Sequence, residues 1–270
     1  VRVVDADRHR RALLQRGNQD DIGRAKVLGD SLLYAQTHDP LAAGRVRNAY
    51  HADPFIKSNG NLNIASDGSD NGNLAWTGMA LVQLYHTTHD QAYLTGARSI
   101  ATFVQATAYD TRGAGGYTGG FSANQNTILW KSTEHNLDLY GLFSMLARAT
   151  HDASFKANAK HALKFVKAMW NKKGGYYYIG TGDDGKTVNT GDPTPEDVQT
   201  WSFLSTGLAK YQGSIDWVLA NLSATSGDFD GLSFEVDDRT GVWFEGTAHA
   251  AAALLARNLP GDADAAAQLL

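Results

Sequence analysis

The stretch KSTEHNLDLYGLFSML, residues 131–146, places Glu134, His135, Asn136 and Asp138 within five positions, ahead of an almost wholly apolar run from Leu139 to Leu146. One capping residue is enough to start a helix. Two carboxylates, an imidazole and an amide go beyond that need. Carboxylates gathered at one mouth repel each other and lose solvation, and both effects raise their pKa. A raised pKa keeps a carboxylic acid protonated near neutral pH, the condition for general-acid work. Asp138 lies one turn beyond Glu134 on the same face. A carboxylate beside Leu137 and Leu139 is costly unless it is bonded or used.

The same pattern recurs along the chain. DNGNLAWTGMALVQLYHTTHD (70–90) and TEHNLDLYGLFSMLARATHD (133–152) align with Asn73 on Asn136, and the offset 136 − 73 = 63 carries Asn136 onto Gln199 in EDVQTWSFLSTGLAKY (196–211). A fourth stretch, VWFEGTAHAAAALLAR (242–257), has the same polar front and apolar body at a shorter offset. The alignment makes Asn71, Glu134 and Asp197 equivalent. Asp70 and Glu196 stand beside them, and Glu245 falls at the fourth place.

Each apolar helix is followed by an amphipathic one. In 91–108 the residues Tyr93, Leu94, Ala97, Ile100, Ala101 and Val104 form one stripe, and in 153–170 lysines 156, 160, 164 and 167 form the wet face. Residues 21–39 read as another outer helix, and a further helix is expected near 5–16. THDQ and THDA join members of a pair, each with an Asp to cap the second helix. A third THD, at 37–39, ends an outer helix and reads as coincidence. Inner helices apolar all round beside outer helices with one wet face describe two concentric layers. The expected fold is therefore all-α: an α/α toroid of helical hairpins. Its long Gly- and aromatic-rich return loops should carry short β-hairpins on one end. One domain over 1–270 is expected, with its last hairpin cut short and the ring possibly incomplete.

Composition narrows the partners. A net charge of −4 without a basic run argues against nucleic acid, and zero cysteines exclude disulfides, cysteine nucleophiles and thiolate metal sites. No run approaches the roughly 20 apolar residues of a membrane span, and the N-terminus lacks a signal-peptide core. Periplasmic, secreted and cytoplasmic locations in a bacterium all remain open, as does the oligomeric state. Six Trp and eleven Tyr, many in polar Gly-rich segments, suit a ligand with alternating C–H faces and hydroxyls. A carbohydrate is the expected partner, with no cofactor. The oxygen-rich segments 66–72 and 180–192 could hold Ca²⁺, but neither matches an EF-hand loop and turn formation accounts for both.

DNGNLAWTGMAL, WKSTEHNLDLYGLF, DVQTWS and GVWFEGTAHAA together resemble the bacterial (α/α)6 six-hairpin glycosidase-like proteins, over about residues 20–257. The resemblance implies a toroid acting on glycans, with an inner-helix Glu as acid and an Asp across the funnel as base, commonly with inversion. In that scheme Glu134 protonates the glycosidic oxygen and Asp197 activates water, with Asp138, Glu245 and Asp70 as further candidate carboxylates. Inversion requires carboxyls about 6.5–9.5 Å apart, retention about 5–5.5 Å. Trp76, Trp130, Trp201, Trp243, Tyr117 and Tyr177 are expected to stack on sugar rings. Arg47, Lys131, His135, Asn136 and Gln199 are expected to bond hydroxyls. The first hypothesis is thus a glycoside hydrolase on an oligo- or polysaccharide. A polysaccharide lyase would instead rely on Tyr140, His135, Lys131 and Arg47, and an inactive glycan-binding protein would keep the funnel without the chemistry. Helix capping is the plain alternative for Glu134, Asp197 and Glu245, scaffold bonding for His135, and core packing for the tryptophans.

Overall fold

A computed structural model describes residues 13–41, 44–191 and 194–270. Helix α1 (Gln19–His38) is an outer helix packed on α2 (Asn71–Thr88) and α3 (Gln91–Ala108). Then follow α4 (Thr133–Thr150) with α5 (Ala153–Ala168), α6 (Glu196–Thr206) with α7 (Gly213–Asn221), and α8 (Phe244–Arg257) with α9 (Asp262–Leu269). Helices α2, α4, α6 and α8 form the inner row, each packed on the next. Of the helix expected near 5–16, residues 13–16 are helical and the rest lies outside the described residues.

The hairpin turns follow the sequence reading. His89 and His151 end α2 and α4 in the left-handed region, at φ 59° and 57°, and Asp90 and Asp152 cap α3 and α5 by accepting from the N–H of Ala92 and Ser154. The stripe Tyr93, Leu94, Ala97, Ile100, Ala101 and Val104 is wholly buried on α3, while the four lysines of α5 are exposed. Gly78 and Gly141, separated by the same 63 residues, let α2 and α4 approach closely. A methyl group on Gly78 would lie 2.6 Å from Leu142, and one on Gly141 2.9 Å from the Met79 sulfur. The third pair is shorter: α6 has 11 residues and α7 has 9.

Short strands in the return loops stitch the inner helices together. β1 (Ala49–Tyr50) pairs with β2 (Ile64–Ser66), and β3 (Ser69–Asp70), β4 (Gly120–Phe121) and β5 (Thr127–Ile128) form one antiparallel sheet. β6 (Lys131–Ser132) pairs with β9 (Gly180–Thr181), and β7 (Trp170–Asn171) pairs with β8 (Tyr176–Tyr177). A hairpin after α7, β10 (Ser223–Ser226) with β11 (Phe229–Leu232), has no counterpart in the expected return loops. At the first three inner helices the capping residue pairs with a later return loop: Asp70 with Gly120, Ser132 with Gly180, and Pro195 with Glu235.

The fourth residue of the next inner helix then grips the same loop. Asn136 accepts from the Tyr117 N–H at 2.8 Å and donates to the Tyr117 carbonyl at 3.0 Å and to Ser132 at 2.8 Å. Gln199 repeats this on Tyr177, at 2.8 Å and 3.0 Å, and donates to Pro195 at 3.2 Å. Thr247 accepts from the Leu232 N–H at 2.9 Å and donates to the Trp243 carbonyl. The first copy departs: Asn73, aligned with Asn136 but the third residue of α2, donates to Asn48.

Removing an amide clamp leaves a buried peptide N–H and C=O without partners, at about 1–3 kcal/mol for each orphaned group. Asn136→Ala and Gln199→Ala are therefore each expected to lower the unfolding free energy by an amount within that range or above it, seen as a lower urea midpoint with an unchanged slope. A loss below about 0.5 kcal/mol in either variant contradicts the clamp.

Candidate functional site

The mouths of α4 and α6, together with the loops held between them, enclose a cleft of about 510 Å³. Trp130, Ser132, Glu134 and His135 come from the α4 mouth, Ile179 to Asp183 and Asn189 from the preceding return loop of α6, and Pro195, Asp197 and Val198 from α6 itself. Phe234 closes one side and also borders a second cleft, of about 470 Å³, lined by Glu235, Asp238, Trp243 and Glu245 among others. Glu134 and Asp197, equivalent by the 63-residue offset, thus share one cleft. Trp130 is 36% exposed and stands beside His135, with ring centroids 5.6 Å apart.

The polar groups of the first cleft differ in their freedom. Asp197 accepts at one oxygen from the Val198 N–H at 2.7 Å. His135 keeps partial exposure as a residue, but its Nδ1 is enclosed without a hydrogen-bond partner and burial pushes the imidazole down to about 4. It is therefore a neutral ring at physiological pH. Gly72 of α2 makes room for it, since a methyl group there would lie 2.6 Å from the His135 ring and 3.3 Å from Asp138. Asp138 itself is buried in that same α2–α4 contact and is not among the residues lining either cleft. Asp70 caps α2 outside both clefts, accepts from Asn48 at 2.8 Å, and is raised by burial.

Several residues expected to meet sugar are committed to the scaffold. Tyr117 and Tyr177 are 0% and 1% exposed, in the core rather than on a cleft wall. Asn136 and Gln199 are the loop clamps. Arg47 is buried in a two-point ion pair with Asp39 and donates to the Asp67 carbonyl at 2.7 Å. The Asp of the third THD thus has a partner of its own. Lys131 borders the first cleft, but its ammonium bonds the carbonyls of Arg112 and Gly115 at 2.7 and 2.9 Å; burial lowers its pKa. The physical reason is common to all: a long polar loop laid against a buried helix mouth needs internal partners for its own peptide groups. Trp76 and Trp201 pack on each other across α2 and α6, with centroids 5.4 Å apart. In the segment 180–192, Asp184 bonds Lys186 and Thr187 within its own turn.

Glu196 and His249 were not assigned roles from the sequence. Glu196, the first residue of α6, is completely buried, and its oxygens have no hydrogen-bond partner of good geometry. Burial, with the Glu245 charge adding to it, raises this carboxyl to about 8, and the nearby Thr200 hydroxyl offsets only part of the shift. His249 of α8 has Nδ1 3.9 Å from Glu196 and Nε2 3.7 Å from Glu245, one turn earlier on its own helix. The Glu245–His249 spacing of four was the available sequence signal. The small residues of AHAAAA hid it, because they read as helix body.

No protein-family model and no curated protein matches the chain. Solved structures do. A cellobiose 2-epimerase from Spirochaeta thermophila has a TM-score of 0.77 at 19% identity, covering 99% of this chain and 72% of that one. An alpha-mannanase from Bacteroides thetaiotaomicron has a TM-score of 0.66 at 15% identity, covering 95% and 69%. An inactive alpha-1,6-mannanase variant from Salegentibacter, with two consecutive aspartates changed to asparagine and alpha-1,6-mannotriose bound, has a TM-score of 0.61 at 15% identity, covering 98% and 73%. The fold is that of the (α/α)6 six-hairpin glycosidase-like proteins, an all-α toroid of helical hairpins.

Glu196 carries a pH signature. Its folded pKa lies above the unfolded value, so between about 4.5 and 8 the folded chain holds the proton more tightly. Stability contributed by this site is highest below that window and falls as pH rises through it. Glu196→Gln removes the fall. The variant is expected to match the parent near pH 4 and to melt higher near pH 8. A melting difference independent of pH contradicts the raised pKa.

Proposed function

We propose that the protein is a glycoside hydrolase on an oligo- or polysaccharide, working through Glu134 and Asp197. The observation that carries this reading is that both carboxylates, from neighbouring inner-helix mouths, line one cleft with Trp130 and Phe234 as aromatic walls. Aromatic faces suit the C–H faces of a sugar ring, and two carboxyls flanking a glycosidic bond are the group set for its hydrolysis. Glu134 donates the proton to the leaving oxygen. Asp197 draws a proton from water, which attacks the anomeric carbon from the opposite face, so the configuration inverts. His135, neutral and fixed against Gly72, lines the cleft beside Trp130 without adding charge. Carbohydrate-acting enzymes of the same fold support the substrate class, and the inactive mannanase variant lends weight to acidic residues as the working groups. The consecutive acidic pair at an inner-helix mouth here is Glu196-Asp197.

A second reading is a sugar epimerase or isomerase. The similarity to cellobiose 2-epimerase favours it, as does the neutral His135 imidazole in the cleft. Such an enzyme moves a proton at carbon and leaves chain length unchanged.

Incubation with alpha-1,6-mannotriose, cellobiose and a panel of gluco- and manno-oligosaccharides separates the readings. Hydrolysis gives shorter products of inverted anomeric configuration, and Glu134→Gln and Asp197→Asn each cut the rate by about 10²–10⁴-fold with binding retained. Products of unchanged length but altered C2 configuration would overturn hydrolysis in favour of epimerisation. Unsaturated ends would indicate a lyase.

A further inference from the structure

The second cleft has its own carboxylate, and the residues behind it are organised. Glu245, with a side chain one-third exposed, lines this cleft at the start of α8 beside Trp243. One turn later on α8, His249 is enclosed by aromatic rings: Trp201 with centroids 5.0 Å away and Trp243 at 5.9 Å, both edge-on. Trp201 Nε1 lies 3.0 Å from His249 Nδ1. An indole N–H can only donate, so Nδ1 must present its lone pair. A neutral imidazole that accepts at Nδ1 carries its hydrogen on Nε2, the nitrogen 3.7 Å from Glu245. On the Nδ1 side, 3.9 Å away, stands the buried Glu196.

We infer that His249 is the positioning residue of Glu245: Trp201 locks the imidazole in its Nε2–H form, and that N–H faces, from 3.7 Å, the carboxylate that lines the second cleft and orients it electrostatically. This rests on reading the cleft as a sugar site, with the second cleft taking a further unit of the chain beyond Phe234. The arrangement makes Glu245 the oriented carboxylate of that unit, able to accept from a sugar hydroxyl. Among the described residues, the charged or titratable groups within 4 Å of the imidazole nitrogens are Glu196 of α6 and Glu245 of α8. Both are acidic. Glu196, held protonated by its burial, adds no charge on the Nδ1 side. The Trp201 N–H occupies the Nδ1 lone pair and opposes protonation at that nitrogen.

Long-range ¹H–¹⁵N NMR of the full chain, with the His249 ring assigned by comparison with His249→Gln, reads the tautomer directly. At pH 7 the ring is expected to show a bare Nδ1 and a protonated Nε2. Glu245→Gln is expected to lower the His249 titration midpoint, because a facing negative charge is lost. Trp201→Phe is expected to raise it by about one pH unit, roughly tenfold in proton affinity, because Nδ1 is released to take a proton. Glu245 is at the surface, so its variant keeps the test open if Trp201→Phe does not fold. An Nδ1–H tautomer, or a midpoint unmoved by Glu245→Gln, overturns the positioning role and leaves the sugar reading standing. Failure to act on any glycan removes the sugar reading and leaves the tautomer result intact.

Discussion

Every inner-helix mouth from α4 onward depends on a buried polar clamp. Asn136, Gln199 and Thr247 occupy the fourth position of three successive inner helices, and each bonds back to the carbonyl four residues earlier while holding the loop that precedes it. Peptide groups cannot be buried unpaired without a cost of several kcal/mol in an apolar setting. Once the loops are held, their strands can pair with the capping residues Ser132 and Pro195, and the gap left between two mouths becomes a cleft with fixed walls.

The same burial sets the electrostatics. A carboxyl at a helix start is normally favoured in its charged form by the helix dipole. At Glu196 desolvation wins, because the side chain is fully enclosed and Glu245 adds a like charge. Asp197, the next residue, is also buried but lines the cleft, whereas Glu196 does not. His135 shows the matching effect for a base, since burial keeps it neutral where an exposed imidazole would titrate near physiological pH. Enclosure thus acts on both groups in one direction, favouring the neutral form of Glu196 and of His135.

Much of this was legible in the sequence. The 63-residue offset found the inner helices and their mouths, and it placed Asn136 on Gln199, which the shared clamp geometry repeats. Apolar periodicity found the outer helices because a one-sided wet face leaves a clear pattern. What did not follow was the use of each polar residue at a mouth. Asn136, Gln199, Arg47 and Lys131 read as ligands for a substrate because the sequence cannot tell a sugar hydroxyl from a backbone carbonyl. Tyr117 and Tyr177 sit in Gly-rich loops, which read as surface, yet the clamps pull their backbones into the core. Glu196 reads only as Asp197's neighbour, since the close approach of Gly246 comes from α8, 50 residues on.

The central claim is that the cleft between the α4 and α6 mouths holds a sugar between two working carboxylates. A crystal structure with a bound oligosaccharide tests it most directly. The account predicts a sugar ring against Trp130, the glycosidic oxygen beside Glu134, and carboxyls of Glu134 and Asp197 about 6.5–9.5 Å apart with room for a water. A sugar bound away from this cleft, or carboxyls only about 5–5.5 Å apart across the scissile bond, would contradict it.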